Sequence, residues 1–123
     1  TDRTILIEPL NRHDAPGYFL QTTAQARTII ERVDAANLRL MFDCYHVGRT
    51  EGDIMSRLGD LLPLIGHIQF AAVPDRGAPD HGEINFPAVF EHIATLGWTA
   101  PLGAEFKPET PDAAARWLEK LAL

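Results

Sequence analysis

Four apolar runs dominate this sequence, each closing on a side chain with an oxygen able to bind a hard metal and each followed by a helix-like stretch. They are ILIEP with Glu8, LRLMFDCYH with Asp43, HIQFA with Gln69 and LGAEFKP with Glu105. A run such as Ile5-Leu6-Ile7, with no polar alternation, reads as a strand buried on both faces, the habit of parallel sheets. Strand starts near residues 4, 38, 67 and 102 have the spacing of a βα repeat, so the fold class is α/β. Such folds build their sites at the carboxyl ends of the strands, where these oxygens stand.

The spacing predicts strands over about Thr4–Leu10, Leu38–Tyr45, His67–Val73 and Leu102–Lys107. Between them, Ala26, Ile29, Ile30 and Val33 recur at helical intervals behind a capping Thr22 or Thr23. Ile54, Leu58, Leu61 and Leu62 form a second stripe, ended by Pro63. Asn85 is a cap for a third, with Pro87 in the first turn, Val89, Phe90, Ile93 and Leu96 on one face, and Gly97 as its stop. Thr110-Pro111 opens a last helix carrying Ala114, Trp117, Leu118 and Leu121.

Side chains alternate faces along a strand. Glu8 then shares a face with Leu6 and Thr4, Asp43 with Met41 and Tyr45, Gln69 with His67 and Ala71, and Glu105 with Gly103 and Lys107. Each strand offers a polar or small set to one side. Taken singly, each of the four is a solvated or ion-paired strand end; together, three carboxylates and an amide oxygen suit a divalent cation, Mg²⁺ or Mn²⁺. Two octahedral positions would remain for neighbouring substrate oxygens.

At 123 residues and 46% hydrophobic, the chain has the size of one globular domain. A net charge of -6 argues against nucleic acid as a partner. Cys44 is the single cysteine, which excludes an intrachain disulfide and fits a reducing, cytoplasmic setting. No apolar run approaches the ~20 residues of a membrane span, and TDRTILIEPL does not read as a signal peptide. Four βα units are half of an eight-unit (β/α)8 barrel, which takes roughly 250 residues. A lone half leaves raw sheet edges and an uncovered inner face. With no initiator Met and an immediate strand, the expectation is a C-terminal half-barrel whose N-terminal half is absent, or which pairs with a second copy.

The stretches LIEPLNRHDAPGYFL, FDCYHVGRTEGD, GHIQFAAVPDRGAPDHGEINF and GAEFKP resemble, in order, the C-terminal half of hydroxypyruvate isomerases, members of the xylose-isomerase-like barrel superfamily. The resemblance implies a TIM barrel with a divalent metal held by Glu8, Asp43, Gln69 and Glu105. It also implies that Glu8 and Glu105 move the proton. The reaction implied interconverts hydroxypyruvate and tartronate semialdehyde through an enediolate, eased by a cation that polarises carbonyl and hydroxyl.

Several further residues are candidate substrate contacts, each with a plainer alternative. His46, just past the second strand, is either near the substrate oxygens or a surface loop histidine. His67 lies one layer deeper on the inner face, where a hydrogen-bonded core role is equally open. Lys107, two residues after Glu105, is placed by parity to hold a carboxylate or enediolate oxygen. Arg76, near Glu83 in the loop after the third strand, is a bidentate clamp for an acid or a solvated charge. Ala72 and Asp75 in AAVPDR depart from the pattern of relatives, which bears on substrate identity more than on the metal. The alternatives are another sugar or oxo-acid isomerase or epimerase of this fold, and a half-barrel inactive without its partner. A metal-dependent endonuclease of the superfamily fits poorly with the net acidity.

Overall fold

The computed structural model describes residues 2–121. Ile5–Ile7 (β1), Leu38–Asp43 (β2), Ile65–Phe70 (β3) and Leu102–Ala104 (β4) form one sheet in the order β1-β2-β3-β4. Every pairing is parallel, and each strand neighbours the next in sequence. Helices Thr23–Val33 (α1), Cys44–Thr50 (α2), Ile54–Leu61 (α3), Phe86–Thr95 (α4) and Arg116–Lys120 (α5) connect or follow them. The expected α/β fold of four βα units is borne out. No helix among the described residues is long and apolar enough to cross a membrane.

Local chemistry sets the boundaries. Thr22 caps α1 in a reciprocal box, its hydroxyl accepting from Gln25 N while the Gln25 side chain accepts from the Thr22 backbone. Asn85 caps α4 by accepting from Ala88 N, as its position predicts. The strands are shorter at their carboxyl ends than hydrophobicity suggests, so Glu8 and Glu105 stand just beyond β1 and β4. The second strand does not reach Tyr45. Asp43 Oδ1 accepts from Tyr45 N at 2.8 Å, and that cap turns the chain at once into α2. The final segment is a 3-10 turn at Pro111–Ala113 followed by the short α5, not one continuous helix.

One face of the sheet carries the core. Leu40, Phe42, Ile68 and Phe70 are buried against Ala26 and Ile30 of α1, Leu58 and Leu61 of α3, Phe86, Val89 and Ile93 of α4, and Trp117 of α5. Fully burying a side chain of this kind stabilises by about 1.5–3 kcal/mol. The other face presents Leu6, Arg39, Met41 and His67, none of them fully buried. Register slips between β2 and β3 next to Leu40 and Met41, and Gly66 sits at that slip. A Cβ there would come within 2.7 Å of Arg39 Cβ and Leu6 Cδ2, so only glycine fits.

A charged clasp closes the long loop after β3 against α5. His81 bonds Asp75 at 2.7 Å and Asp80 at 2.9 Å, and Lys120 bonds Asp80 at 2.6 Å. The hydrogen bonds to Asp80 and Asp75 push the His81 imidazole above its ordinary range. The same bonds hold both carboxyls below theirs. The stability His81 contributes is complete below its unfolded value and is lost as pH rises through the raised one. The stability Asp75 and Asp80 contribute is complete above their unfolded values and is lost as pH falls through the lowered ones. The clasp is therefore expected to be tightest in mildly acidic solution and to loosen above neutrality. Thermal unfolding followed across that range checks this, with a His81→Gln chain lacking the neutral-side decline.

Candidate active site

The parallel register assembles the site. Asp43 pairs with Gln69 and Gln69 with Gly103, so two donors and a glycine lie side by side on the inner face. Gly103 leaves space: a Cβ would be 2.8 Å from His67 Nε2 and 3.3 Å from Gln69 Cγ. Glu8 follows β1 directly, and His46 lies in the first turn of α2, one turn after Asp43. His46 is buried, at 3% exposure, and is not a surface loop residue.

One ligand-capable atom each from Glu8, Asp43 and His46 lie within 4.8 Å of one another. His46 Nε2 is 4.0 Å from Glu8 Oε1 and 3.9 Å from Asp43 Oδ2, too far for a hydrogen bond. Glu8 Oε1, Asp43 Oδ2, His46 Nε2 and Gln69 Oε1 are all buried without a hydrogen-bond partner. A buried polar atom normally has one, so three such atoms clustered together, with a fourth on the neighbouring strand, ask for a guest. Two carboxylate oxygens and an amide oxygen are a donor set for a hard divalent cation.

The electrostatics agree. Burial, then the neighbouring Asp43 and Glu105 charges, raise Glu8 to about 7, with Arg76 opposing. Burial raises Asp43 to about 6, opposed chiefly by the Tyr45 N–H it accepts. The Arg76 charge only partly offsets this for both acids, and a cation would supply the rest. His46 moves the other way, down to about 4, through burial and then the Arg76 charge, so its ring is neutral near pH 7.

Behind this cluster stands a support that the sequence reading did not single out. Asn11, fully buried, donates its backbone N–H to His46 Nδ1 at 3.0 Å. Asn11 Nδ2 also lies 2.8 Å from that nitrogen and donates to Asp14 Oδ2 at 3.1 Å. Tyr45 Oη donates to the same Asp14 oxygen at 2.6 Å, and the Arg76 guanidinium sits 5.1 Å from the Tyr45 ring centroid. The available signal was Asn-x-x-Asp after a strand end, an Asx-turn pattern.

Arg76 has a backbone φ of 59°, in the left-handed region a non-glycine residue rarely occupies. Its N–H donates to Ala72 O at 2.9 Å and its carbonyl accepts from Lys107 N at 2.8 Å. Its guanidinium is 3.4 Å from Glu105, whose side chain is 51% exposed. Glu105 thus stands more exposed and shared with Arg76, while Glu8 and Asp43 cluster with His46 and carry buried, unpartnered oxygens. His67 lies deeper, level with Met41. Lys107 is exposed and lines a separate cavity of about 350 Å³ with Asp75, His81 and Trp117.

The chain is 45% identical over 117 residues to a 2-oxo-tetronate isomerase of Cupriavidus necator, covering 94% of this chain and 45% of that protein. It is 39% identical over 119 residues to a hydroxypyruvate isomerase of Escherichia coli, covering 96% and 46%. A solved structure described as an AP endonuclease, family 2, from Brucella melitensis superposes with a TM-score of 0.90 at 32% identity, covering 94% of this chain and 45% of that one. The chain thus spans about half the length of the curated relatives it matches. The resemblance carried by the four sequence blocks is borne out. A family profile described as xylose isomerase-like TIM barrel matches residues 2–121, and the chain belongs to that family.

Proposed function

We propose that this chain is the metal-binding half of a barrel isomerase acting on a short 2-oxo acid, with hydroxypyruvate and tartronate semialdehyde as its substrate pair. The observation that carries the reading is that Glu8 Oε1, Asp43 Oδ2 and Gln69 Oε1 are buried without a hydrogen-bond partner, Glu8 and Asp43 clustering with His46 and Gln69 pairing with Asp43 across the sheet. These three would hold Mg²⁺ or Mn²⁺, with Glu105 as a further ligand released from Arg76. When bound, the cation supplies Lewis-acid polarisation of the substrate carbonyl and hydroxyl.

The chain's own residues do the rest. In hydroxypyruvate a proton must leave C3 and return at C2, while the hydroxyl proton passes from O3 to O2. Glu8, at the end of β1, is the base of this proposal, acting through a carboxylate oxygen the cation leaves free. Glu105 at the rim is the second carboxylate, returning the proton to the neighbouring carbon. Arg76 suits the substrate carboxylate, for which a guanidinium offers a bidentate partner. His46 Nε2 faces the space between Glu8 and Asp43, where substrate oxygens would lie. His67, deeper on the inner face, and Lys107, on the neighbouring cavity, are proposed as the more distant contacts. A preceding half-barrel, or failing that a second copy, would supply the opposite wall: β1 and β4 are both sheet edges among the described residues.

The 2-oxo-tetronate pair is the second reading, favoured by the 45% identity to that isomerase. The chain is to be assayed with Mn²⁺ on both substrates, alone and joined to the N-terminal half of the E. coli relative. Turnover in the joined form with tightly bound Mn²⁺ is the expected result; no bound metal in either form rejects the reading. Because Glu8 and Asp43 bind protons up to about 7 and about 6, metal binding is expected to release protons and to weaken as pH falls through those values. Calorimetric titration of Mg²⁺ in buffers of different ionisation enthalpy measures both.

A further inference from the structure

We infer that Asn11 is a positioning residue that locks His46 in the tautomer with its proton on Nε2, making His46 a hydrogen-bond donor to substrate and barring it from the metal. Grouped with Glu8 and Asp43, His46 has the look of a third ligand. The hydrogen bonds behind the ring point elsewhere. A backbone N–H can only donate, and that of Asn11 is directed at Nδ1 at 3.0 Å.

The Asn11 amide says the same independently. Its Oδ1 accepts from the backbone N–H of His13 at 3.1 Å and of Asp14 at 3.0 Å. Those two donors fix which end of the amide is oxygen. The opposite end is then NH₂, with one hydrogen for Asp14 Oδ2 at 3.1 Å and the other for His46 Nδ1 at 2.8 Å. Two donors converge on Nδ1, so in a neutral ring the proton is on Nε2. An Nε2–H has no lone pair for a cation, and it faces the orphaned oxygens of Glu8 and Asp43 from about 4 Å. A substrate oxygen set beside those carboxylates, off the line between them and the ring, would accept from Nε2–H. Asp14 in turn holds the amide, and Tyr45 Oη holds Asp14. The same tautomer offers a proton on the side where O2 and O3 exchange theirs.

The donor role rests on the isomerase reading, whereas the tautomer does not, and the test separates them. In protein carrying ¹⁵N-labelled histidine, long-range proton–nitrogen correlation identifies the protonated nitrogen of His46, assigned by its loss in His46→Gln. A protonated Nε2 and bare Nδ1 are expected, unchanged when Mg²⁺ is added. A bare Nε2, before or after Mg²⁺, overturns the proposal. Asn11→Asp keeps the oxygen that the His13 and Asp14 amides need but replaces the donor facing Nδ1 by an acceptor. Because the backbone N–H of residue 11 still donates to Nδ1, this variant is expected to populate the Nδ1-protonated ring only in part, leave Mg²⁺ affinity within about twofold, and lower turnover in the joined barrel. A ring as fully Nε2-protonated in Asn11→Asp as in the parent removes the Asn11 side chain from the role and leaves the tautomer to its backbone N–H. If the tautomer behaves as stated and no isomerisation occurs with either substrate, the isomerase reading falls and the positioning role of Asn11 stands. The wild-type spectrum decides the tautomer even if the variant fails to fold.

Discussion

Glu105→Gln is expected to lower kcat for hydroxypyruvate by about 10²- to 10⁴-fold in the joined barrel, the usual contribution of a positioned proton-transfer group. The change is nearly isosteric, and its side chain is half exposed, so folding is not at stake. It removes one of the like charges that raise Glu8 and Asp43, and it frees Arg76 from its partner. The expected signature is therefore a collapse of kcat with KM little changed or lower, because Arg76 becomes fully available to a substrate carboxylate. Steady-state kinetics beside a metal titration make the check. Activity within about threefold of the parent would reduce Glu105 to a rim charge and leave Glu8 as the sole proton carrier.

The largest effect on folding is expected from Phe70→Ala, a loss of about 3–5 kcal/mol. Phe70 is 3% exposed at the end of β3. It touches three other rings, with centroids 5.6 Å from Phe86, 4.9 Å from Phe90 and 5.6 Å from Trp117. Truncation empties the junction of β3, α4 and α5 and forfeits edge-to-face contacts beyond the area itself. A domain of this size has roughly 5–15 kcal/mol in all, so this one change removes much of it. Urea unfolding should show a lower midpoint with an unchanged slope. A shift worth less than about 1 kcal/mol would mean the three remaining rings close the gap. The consequence reaches the site, since the Phe70 carbonyl accepts from Glu105 N at 3.1 Å.

Much of the frame was legible because its signals are local. Continuous apolar runs marked the parallel strands, and three- and four-residue spacings marked α1, α3 and α4. Thr22 and Asn85 act as caps because the rule for an N-cap involves only the next three residues. The strand ends were misread where hydrophobicity ran on past a stop. Phe42, Cys44 and Tyr45 are all buried, yet the Asp43 carboxylate ends β2 by accepting from Tyr45 N. Apolarity reports burial, and burial is common to a strand and to the first turn of the helix after it.

The candidate site was legible as a set of residues and not as an arrangement. Glu8, Asp43 and Gln69 were identifiable because parity and strand-end position are properties of the chain itself. That one oxygen of each is buried and unpartnered depends on strands tens of residues apart pairing in one register. The Arg76–Glu105 pair depends equally on a loop residue held at positive φ. The role of Asn11 is further still from the sequence: its partner His46 is 35 residues away, and hydrogen-bond direction between two nitrogens exists only once both are placed. The sequence by itself determined the βα repeat, its caps and the donor types at the strand ends, because these follow from period and near-neighbour chemistry. Only the tertiary structure decided which donors are left unsatisfied, which acid is shared with Arg76, and which nitrogen of His46 faces the site, because each is set by contacts between segments distant along the chain.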